Sequence, residues 1–319
     1  MVPDLKERDC VDAIRDQAVA FCRRGWYRDA FVQYRELLFN CGVQTPAVLS
    51  EVGFVCWQLG IIDEAEQCFF RALEADPNHR EALINLVEMR LSQGVLEGVD
   101  ANLARLAAQY PDDPEVMAAY ARRMFVTGEC DQGIDAAQVL VEQHTDSILA
   151  RILAAKLLLS FCCFHQAIAM VEDAINSGKY HPSFYDLWAQ ALAGRGEHGS
   201  AEEVYRAMLD RYPGHVVALS GLARILAGNG NLVEAKKFAK EAATTSPGND
   251  EVISTYFTIL AALKDWQGLY VATLPYVERN PPMREAFVLH ASALGQLGWQ
   301  SELDELLQRY DDAGFKNPA

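Results

Sequence analysis

The segment Pro46–His79, PAVLSEVGFVCWQLGIIDEAEQCFFRALEADPNH, decides how this chain folds. Its first half carries an apolar stripe with spacings of three and four, the period of one face of an α-helix. The stripe consists of Leu49, Val52, Gly53 and Cys56. Gly60 interrupts it, and a second apolar stripe follows at Ala65, Cys68, Phe69, Ala72 and Leu73. Pro77 then prevents the second helix from continuing, because proline has no amide hydrogen and its ring clashes with the preceding turn. The segment predicts two short amphipathic helices that cannot bury their apolar faces alone.

The segment recurs along the chain. Positions 77, 111, 213, 247 and 281 are all proline and lie at multiples of 34 residues from one another; only Thr145 and Lys179 interrupt the series. Repeats are therefore expected to start near residues 11, 46, 80, 114, 148, 182, 216, 250 and 284. The whole repeat array is assigned to residues 11–312 as a single domain. A polar N-terminal lead-in at 1–10 precedes it and a C-terminal tail at 313–319 follows it.

A helix–turn–helix unit of 34 residues resembles the tetratricopeptide repeat (TPR). The repeat from Pro182 matches that family at Trp188, Ala189, Leu192, Gly196, Ala201, Tyr205 and Pro213. The repeat from Ile148 departs from it, because Cys162 replaces the turn glycine and Lys179 the terminal proline. The resemblance implies an all-α fold: a right-handed α-solenoid, or superhelix, of about nine TPR-like helix–turn–helix units. Pro275 falls inside a second helix, where a kink or an early end is expected.

Composition limits the choice of partner and compartment. Half of the 319 residues are hydrophobic, which suffices for a packed core, and the net charge is −16 with a pI of about 4.8. An acidic chain is repelled by phosphate backbones, so no nucleic-acid ligand is expected. There is no apolar run of about eighteen residues, so no membrane span is expected. No signal peptide is visible, which together with eight cysteines interpreted as buried free thiols favours a cytoplasmic location. Disulfides or a metal site remain the alternative for those thiols.

The sequence contains no motif for catalysis or for a cofactor. HExxH, Walker A, GxSxG and GxGxxG patterns are all absent, and the seven histidines are scattered. Cys162, Cys163 and His165 lie close together, but adjacent cysteines on a helix point about 100° apart and chelate poorly. A non-enzymatic protein with no catalytic residue, no cofactor and no metal is therefore expected.

The candidate binding site is the concave groove that the first helices of TPR-like repeats line. The twelfth position of successive repeats is Trp57, Leu91, Phe125 and Leu159, and becomes small after that. The ninth position adds positive charges. The predicted groove residues are Phe54, Trp57, Ile84, Leu91, Arg122, Phe125, Lys156, Leu159 and Arg224. Such a groove suits an amphipathic helix or an extended peptide with acidic residues. The alternative is that part of the stripe packs inside the solenoid and that the cations pair with nearby carboxylates.

One subtype of the family is disfavoured. TPR co-chaperones grip a C-terminal carboxylate with Lys, Asn and Arg residues from three repeats. In the best register here Asn85 would have Ser50, Phe54, Glu115 and Ala119 as companions, which do not supply that chemistry.

The function expected from these features is a protein-interaction scaffold or adaptor that binds a peptide or partner protein in its groove. Two alternatives remain open. One is a regulatory or substrate-binding subunit of a multi-protein enzyme complex, and the other, against the charge, is a helical-repeat nucleic-acid binder. Self-association also stays open.

Overall fold

The computed structural model describes the backbone of residues 5–279 and 283–312, and side chains from 10 to 279 and from 283 to 309. Within these ranges the chain is α-helical, with no strand, so the all-α prediction is confirmed. The tail at 313–319 and the proline at 281 lie outside the described residues. The helices are α1 (Leu5–Arg23), α2 (Tyr27–Arg35), α3 (Pro46–Gln58), α4 (Ile62–Ala75), α5 (Arg80–Ser92), α6 (Val99–Gln109), α7 (Pro114–Val126), α8 (Cys130–Gln143), α9 (Ile148–Ser160), α10 (Phe164–Asn176), α11 (Pro182–Gly194), α12 (His198–Arg211), α13 (Val216–Gly228), α14 (Leu232–Thr245), α15 (Asp250–Ala262), α16 (Trp266–Val277), α17 (Arg284–Leu297) and α18 (Gln300–Asp312).

The helices form pairs, and from α3 onward each first helix begins at the residue where the sequence sets the start of a repeat. Local capping explains these starts. Thr45, Asp113 and Ser147 each accept a hydrogen bond from a backbone N–H of the following first turn. Proline occupies the first helical position of α3, α7 and α11. A backbone N–H at this position has no carbonyl partner within the helix, so proline removes no hydrogen bond there.

The first repeat differs from the others at both ends. Its first helix begins at Leu5, ahead of the residue 11 start set by the sequence. Its second helix ends in a π-helical turn, Glu36–Asn40, in which the N–H of Cys41 reaches back five residues to the carbonyl of Glu36 at 3.1 Å. A π turn holds one extra residue per turn. It therefore accommodates the one additional residue that the first repeat has in the sequence.

Small residues stand where helices meet. The ring of the fully buried Phe69 in α4 lies against Gly53 in α3, and Ala65 and Ala235 are completely buried. First helices of consecutive repeats also contact each other, α3 with α5, α7 with α9 and α13 with α15. Stacking of helix pairs on their neighbours is what makes the fold an α-solenoid. α16 runs through Pro275 and ends two residues later, at Val277.

The chain divides into two compact units, residues 1–204 and 205–319, and the division falls inside α12. They are called here the N-terminal and the C-terminal unit and are described separately. The single domain spanning residues 11–312 remains a prediction from the repeat pattern.

Candidate functional site

The candidate site lies on the first helices of the N-terminal unit. Because α3, α5, α7, α9 and α11 follow one another in contact, equivalent positions line up at intervals of one repeat. The second, fifth and ninth residues of these helices are called here the first-helix face. Eight of the nine predicted groove residues belong to the N-terminal unit, and Arg224 belongs to the C-terminal unit.

Three of the predicted groove residues are not on the surface. Leu91 is 2% exposed, Phe125 4% and Ile84 8%. Leu91 packs with Val99 and Leu103 of α6, and Ile84 lies in the cluster around Leu106 and Val116. Their assignment to an open groove was wrong.

The geometry of Phe125 shows why. Its ring lies against Gly133 in α8, where an added Cβ would sit 2.7 Å from the ring, and it stacks on Phe161 of the next turn at 4.6 Å. The twelfth position is next to the turn between paired helices, and at Leu91 and Phe125 the second helix encloses the side chain. Packing inside the solenoid, the alternative considered from the sequence, accounts for this part of the stripe.

Phe54, Trp57 and Leu159 are half-buried. Phe54 and Trp57 pack against the N-terminal core with their rings edge to face, 6.2 Å between centroids. Leu159 packs against the cluster around Ala155 and Val171. These three side chains keep part of their surface accessible to solvent, as is expected of residues that line a groove.

The predicted cations have different environments. Arg122 binds Glu88 at 2.8 Å, and Arg224 lies 3.6 Å from Glu251. Burial raises the pKa of Glu88, and Arg122 opposes that rise. Lys156 is exposed and has no charged partner among the described residues. Glu88 and Arg122 are ninth residues of consecutive repeats, so a spacing of one repeat was the signal that could have identified the pair.

The exposed apolar surface of this face lies on α9. Leu149 is 48% exposed and Ile148 37%, while Ile152 and Leu153 are half-buried. Lys156 follows one turn after Ile152 on the same helix side. Leu149 was missed from the sequence. Its signal was an apolar residue at the second position of a repeat, where the neighbouring repeats have Glu115 and Ser183.

A cleft of about 520 Å³ opens at the other end of the face, between α1, α3 and α5. Its lining includes Val19, Ala47, Phe54, His79 and Asn85. Ser50 also lines it, is 1% exposed, and its hydroxyl has no hydrogen-bond partner among the described residues. His79 and Asn85 in the same lining are polar side chains, so the cleft offers a ligand polar as well as apolar contacts.

The charges of the cleft are already paired in part. Arg15 holds Glu51 through two hydrogen bonds, at 2.5 and 3.1 Å. Burial raises the pKa of Tyr34 and raises that of Cys22 to about 11, with Glu51 contributing to both. Both side chains are therefore neutral near pH 7. The four Arg and Glu side chains that line the cleft, Arg15, Arg23, Glu51 and Glu81, together carry no net charge.

No group of three His, Cys, Asp or Glu side chains in the described part of the chain is arranged to hold a metal ion. None of the described helices is long and apolar enough to cross a membrane. Among the described residues, this face therefore offers exposed apolar side chains on α9, the cation Lys156 beside them, and a cleft with polar side chains, all of which can contact a ligand.

Comparison with known proteins points to the same repeat. The sequence profile of the coatomer epsilon subunit family matches residues 19–125, and that of a tetratricopeptide repeat family matches residues 192–254. The chain is 31% identical over 146 residues to the protein called CTR9 homolog of Arabidopsis thaliana, covering 44% of this chain and 13% of that protein. It is 25% identical over 201 residues to an uncharacterized protein of Aquifex aeolicus, covering 59% of this chain and 26% of that one.

A tetratricopeptide repeat protein of Parabacteroides merdae is similar in structure, with a TM-score of 0.49 at 14% identity over 78% of this chain and 98% of that one. The family assignment rests on other observations, namely the recurrent 34-residue helix pairs and the profile match. On these grounds the chain is a tetratricopeptide-repeat protein.

Proposed function

We propose that this protein is a non-enzymatic scaffold or adaptor that binds a segment of a partner protein across the first-helix face of its N-terminal unit. The observation that carries the proposal is the exposed apolar side of α9, with Leu149 48% exposed beside the half-buried Ile152. Clustered apolar surface on a soluble protein is typical of an interaction site. When a peptide binds in a groove, its apolar side chains likewise cover apolar surface of the groove.

The side chains of the first-helix face indicate which groups a ligand should have. Apolar side chains of the partner would cover Leu149 and Ile152, and an acidic one would pair with Lys156. Neutral polar groups, such as main-chain amides, would meet Asn85 in the cleft. The cleft lies at α3 and α5, and α9 lies three helix spacings from α3, at roughly 8–10 Å per packed helix. An extended segment needs about nine residues to bridge roughly 30 Å at 3.3 Å per residue.

The test starts from a phage-displayed library of random dodecapeptides selected on the full-length protein. Affinities of selected peptides are then measured by fluorescence polarisation for Leu149→Asp and Ile152→Asp. Each variant should weaken binding at least tenfold, because buried anchors at the centre of an interface carry most of the binding energy. Lys156→Glu should weaken acidic peptides, and more so at low salt, where screening is weaker.

Val139→Asp is the matched control, since Val139 is 41% exposed on α8, a second helix of the same unit. It should leave affinity unchanged while all variants keep the helical circular dichroism of the parent. Equal loss in Val139→Asp, or undiminished binding by Leu149→Asp, contradicts the proposed site.

A second candidate is a subunit of a multi-protein complex, including a regulatory or substrate-binding subunit of an enzyme. The similarity of residues 19–125 to the coatomer epsilon subunit family favours it. Native mass spectrometry of the protein purified from its own cells distinguishes the two. A stoichiometric complex of fixed composition supports the subunit, and free protein that still binds selected peptides supports the adaptor.

A further inference from the structure

A second cleft lies in the C-terminal unit, between the second helices of two consecutive repeats. α14 and α16 both pack on α15, the first helix that lies between them in the chain. The space between α14 and α16 has a volume of about 570 Å³. This volume is within the range of roughly 300–1,000 Å³ that is usual for ligand pockets. The space is called here the α14–α16 cleft, and its two walls are second helices, unlike the first-helix face.

Two side-chain contacts bridge the α14–α16 cleft at its ends. The Nζ of Lys236 in α14 donates a hydrogen bond to Asp265 at 2.6 Å, and Asp265 also accepts one from the N–H of Gly268 at the start of α16. At the other end, the hydroxyl of Tyr276 donates to the carbonyl of Pro247 at 3.1 Å. Positions 236 and 247 are 11 residues apart, as are 265 and 276. At 1.5 Å per helical residue the cleft is roughly 16 Å long, enough for about five residues of an extended segment.

The interior of the cleft combines apolar walls with a lysine that has no charged partner. Val271 on α16 is 62% exposed, and Tyr256 on α15 and Ala272 on α16 are half-buried. Lys240, one turn after Lys236 on α14, is exposed and has no charged partner among the described residues. The lining contains two lysines and one aspartate, a net charge of +1, whereas the whole chain carries −16. The cleft is therefore locally positive beside accessible apolar surface.

We propose that the α14–α16 cleft binds a short extended segment of a partner protein in which acidic and apolar residues alternate. Successive side chains of an extended segment point to opposite sides. Acidic side chains then face Lys240 on the α14 wall, and apolar side chains face Val271 and Ala272 on the α16 wall. Complementary charge selects this segment over a basic one. The site is separate from the first-helix face and uses neither Leu149 nor Lys156.

The first measurement uses fluorescein-labelled peptides and the full chain carrying Leu149→Asp, which removes exposed apolar surface from the first-helix face. Peptides of equal length with alternating Glu and Leu, alternating Lys and Leu, and alternating Glu and Ser are compared by fluorescence polarisation. The Glu–Leu peptide should bind most tightly, and its affinity should rise at low salt, where screening is weaker. Equal binding of the Lys–Leu or the Glu–Ser peptide, or no binding of the Glu–Leu peptide, overturns the proposal.

Single variants then locate the bound peptide. Lys240→Glu and Val271→Asp should each weaken binding of the Glu–Leu peptide about tenfold or more, because each sets a negative charge against the ligand. Lys237→Glu is the matched control for charge, since Lys237 is exposed on α14 but does not line the cleft. Val233→Asp is the matched control for Val271→Asp, since Val233 is 78% exposed on α14 outside the lining. Both controls should keep the parent affinity, and an equal loss in a variant and its control overturns the assignment.

A second copy of this chain is the other occupant that the experiment can reveal. Sedimentation velocity gives the oligomeric state of the unmodified chain and of Val271→Asp. A monomer, or a dimer that Val271→Asp leaves intact, keeps the cleft open for the partner segment and supports the proposal. A dimer that Val271→Asp dissociates assigns the cleft to self-association and overturns it.

Discussion

Gly53 illustrates how single residues are chosen by packing in this protein. A Cβ at this position would lie 2.6 Å from the ring of Phe69, which is completely buried. The sequence places Gly53 in the apolar stripe of the first helix, and the structure shows that Phe69 of the second helix is the neighbour that requires a glycine there. Whether a side chain such as Arg122 is free or paired was not evident, since its partner Glu88 comes from another repeat.

Gly53→Ala is expected to destabilise the protein by about 1–3 kcal/mol, because overpacking forces core side chains out of their rotamers. Chemical denaturation monitored by circular dichroism measures the loss. Gly228→Ala is the control: Gly228 is also helical but has open space around its Cβ position. That variant should be neutral or slightly stabilising. If both variants behave alike, the close contact at Gly53 has no energetic consequence.

At the scale of elements, the packing of α17 on α16 buries a histidine. His290 is 4% exposed, its Nδ1 lies 2.7 Å from the hydroxyl of Thr273, and its ring stacks on Tyr270 at 4.8 Å. Burial lowers its pKa, Arg309 lowers it further, and Glu278 and a backbone hydrogen bond oppose the shift. The neutral ring is therefore the form that the folded C-terminal unit holds.

This lowered pKa predicts sensitivity to acid. The unfolded chain takes up the proton first, at a pKa of about 6.5. The stabilising contribution is therefore present above that pH and is lost as the pH falls toward the folded pKa. Melting temperature should drop between pH 7.5 and 5, and the drop should be smaller in His290→Gln. His165→Gln, which replaces an exposed histidine, should follow the parent. Identical pH profiles for all three proteins would contradict this account.

At the scale of the whole molecule, stability is distributed along the repeats. Contacts run between paired helices and between adjacent repeats, so a defect should weaken its own repeat and its neighbours most. This property separates the solenoid from a globular domain, in which one core couples all elements.

Hydrogen exchange in Gly53→Ala tests this distribution. Amides of α3 and α4 should exchange faster than in the parent, because local opening there becomes less costly. Amides of α13 and α14 in the C-terminal unit should keep their rates. Faster exchange throughout the chain would show that the protein opens as one cooperative body.

The sequence by itself determined the class of fold and the places where helices start. Both depend on signals along the chain: apolar spacing and helix caps are visible within a single repeat, and the fixed period of the prolines appears when the repeats are compared. Tertiary structure alone decided which apolar residues are available for binding. Leu91 and Phe125 belong to the same stripe as Trp57, but the second helices enclose them, whereas Leu149 remains open on α9. Burial is set by side chains from the partner helix and from the next repeat, and a pattern within one helix does not record them.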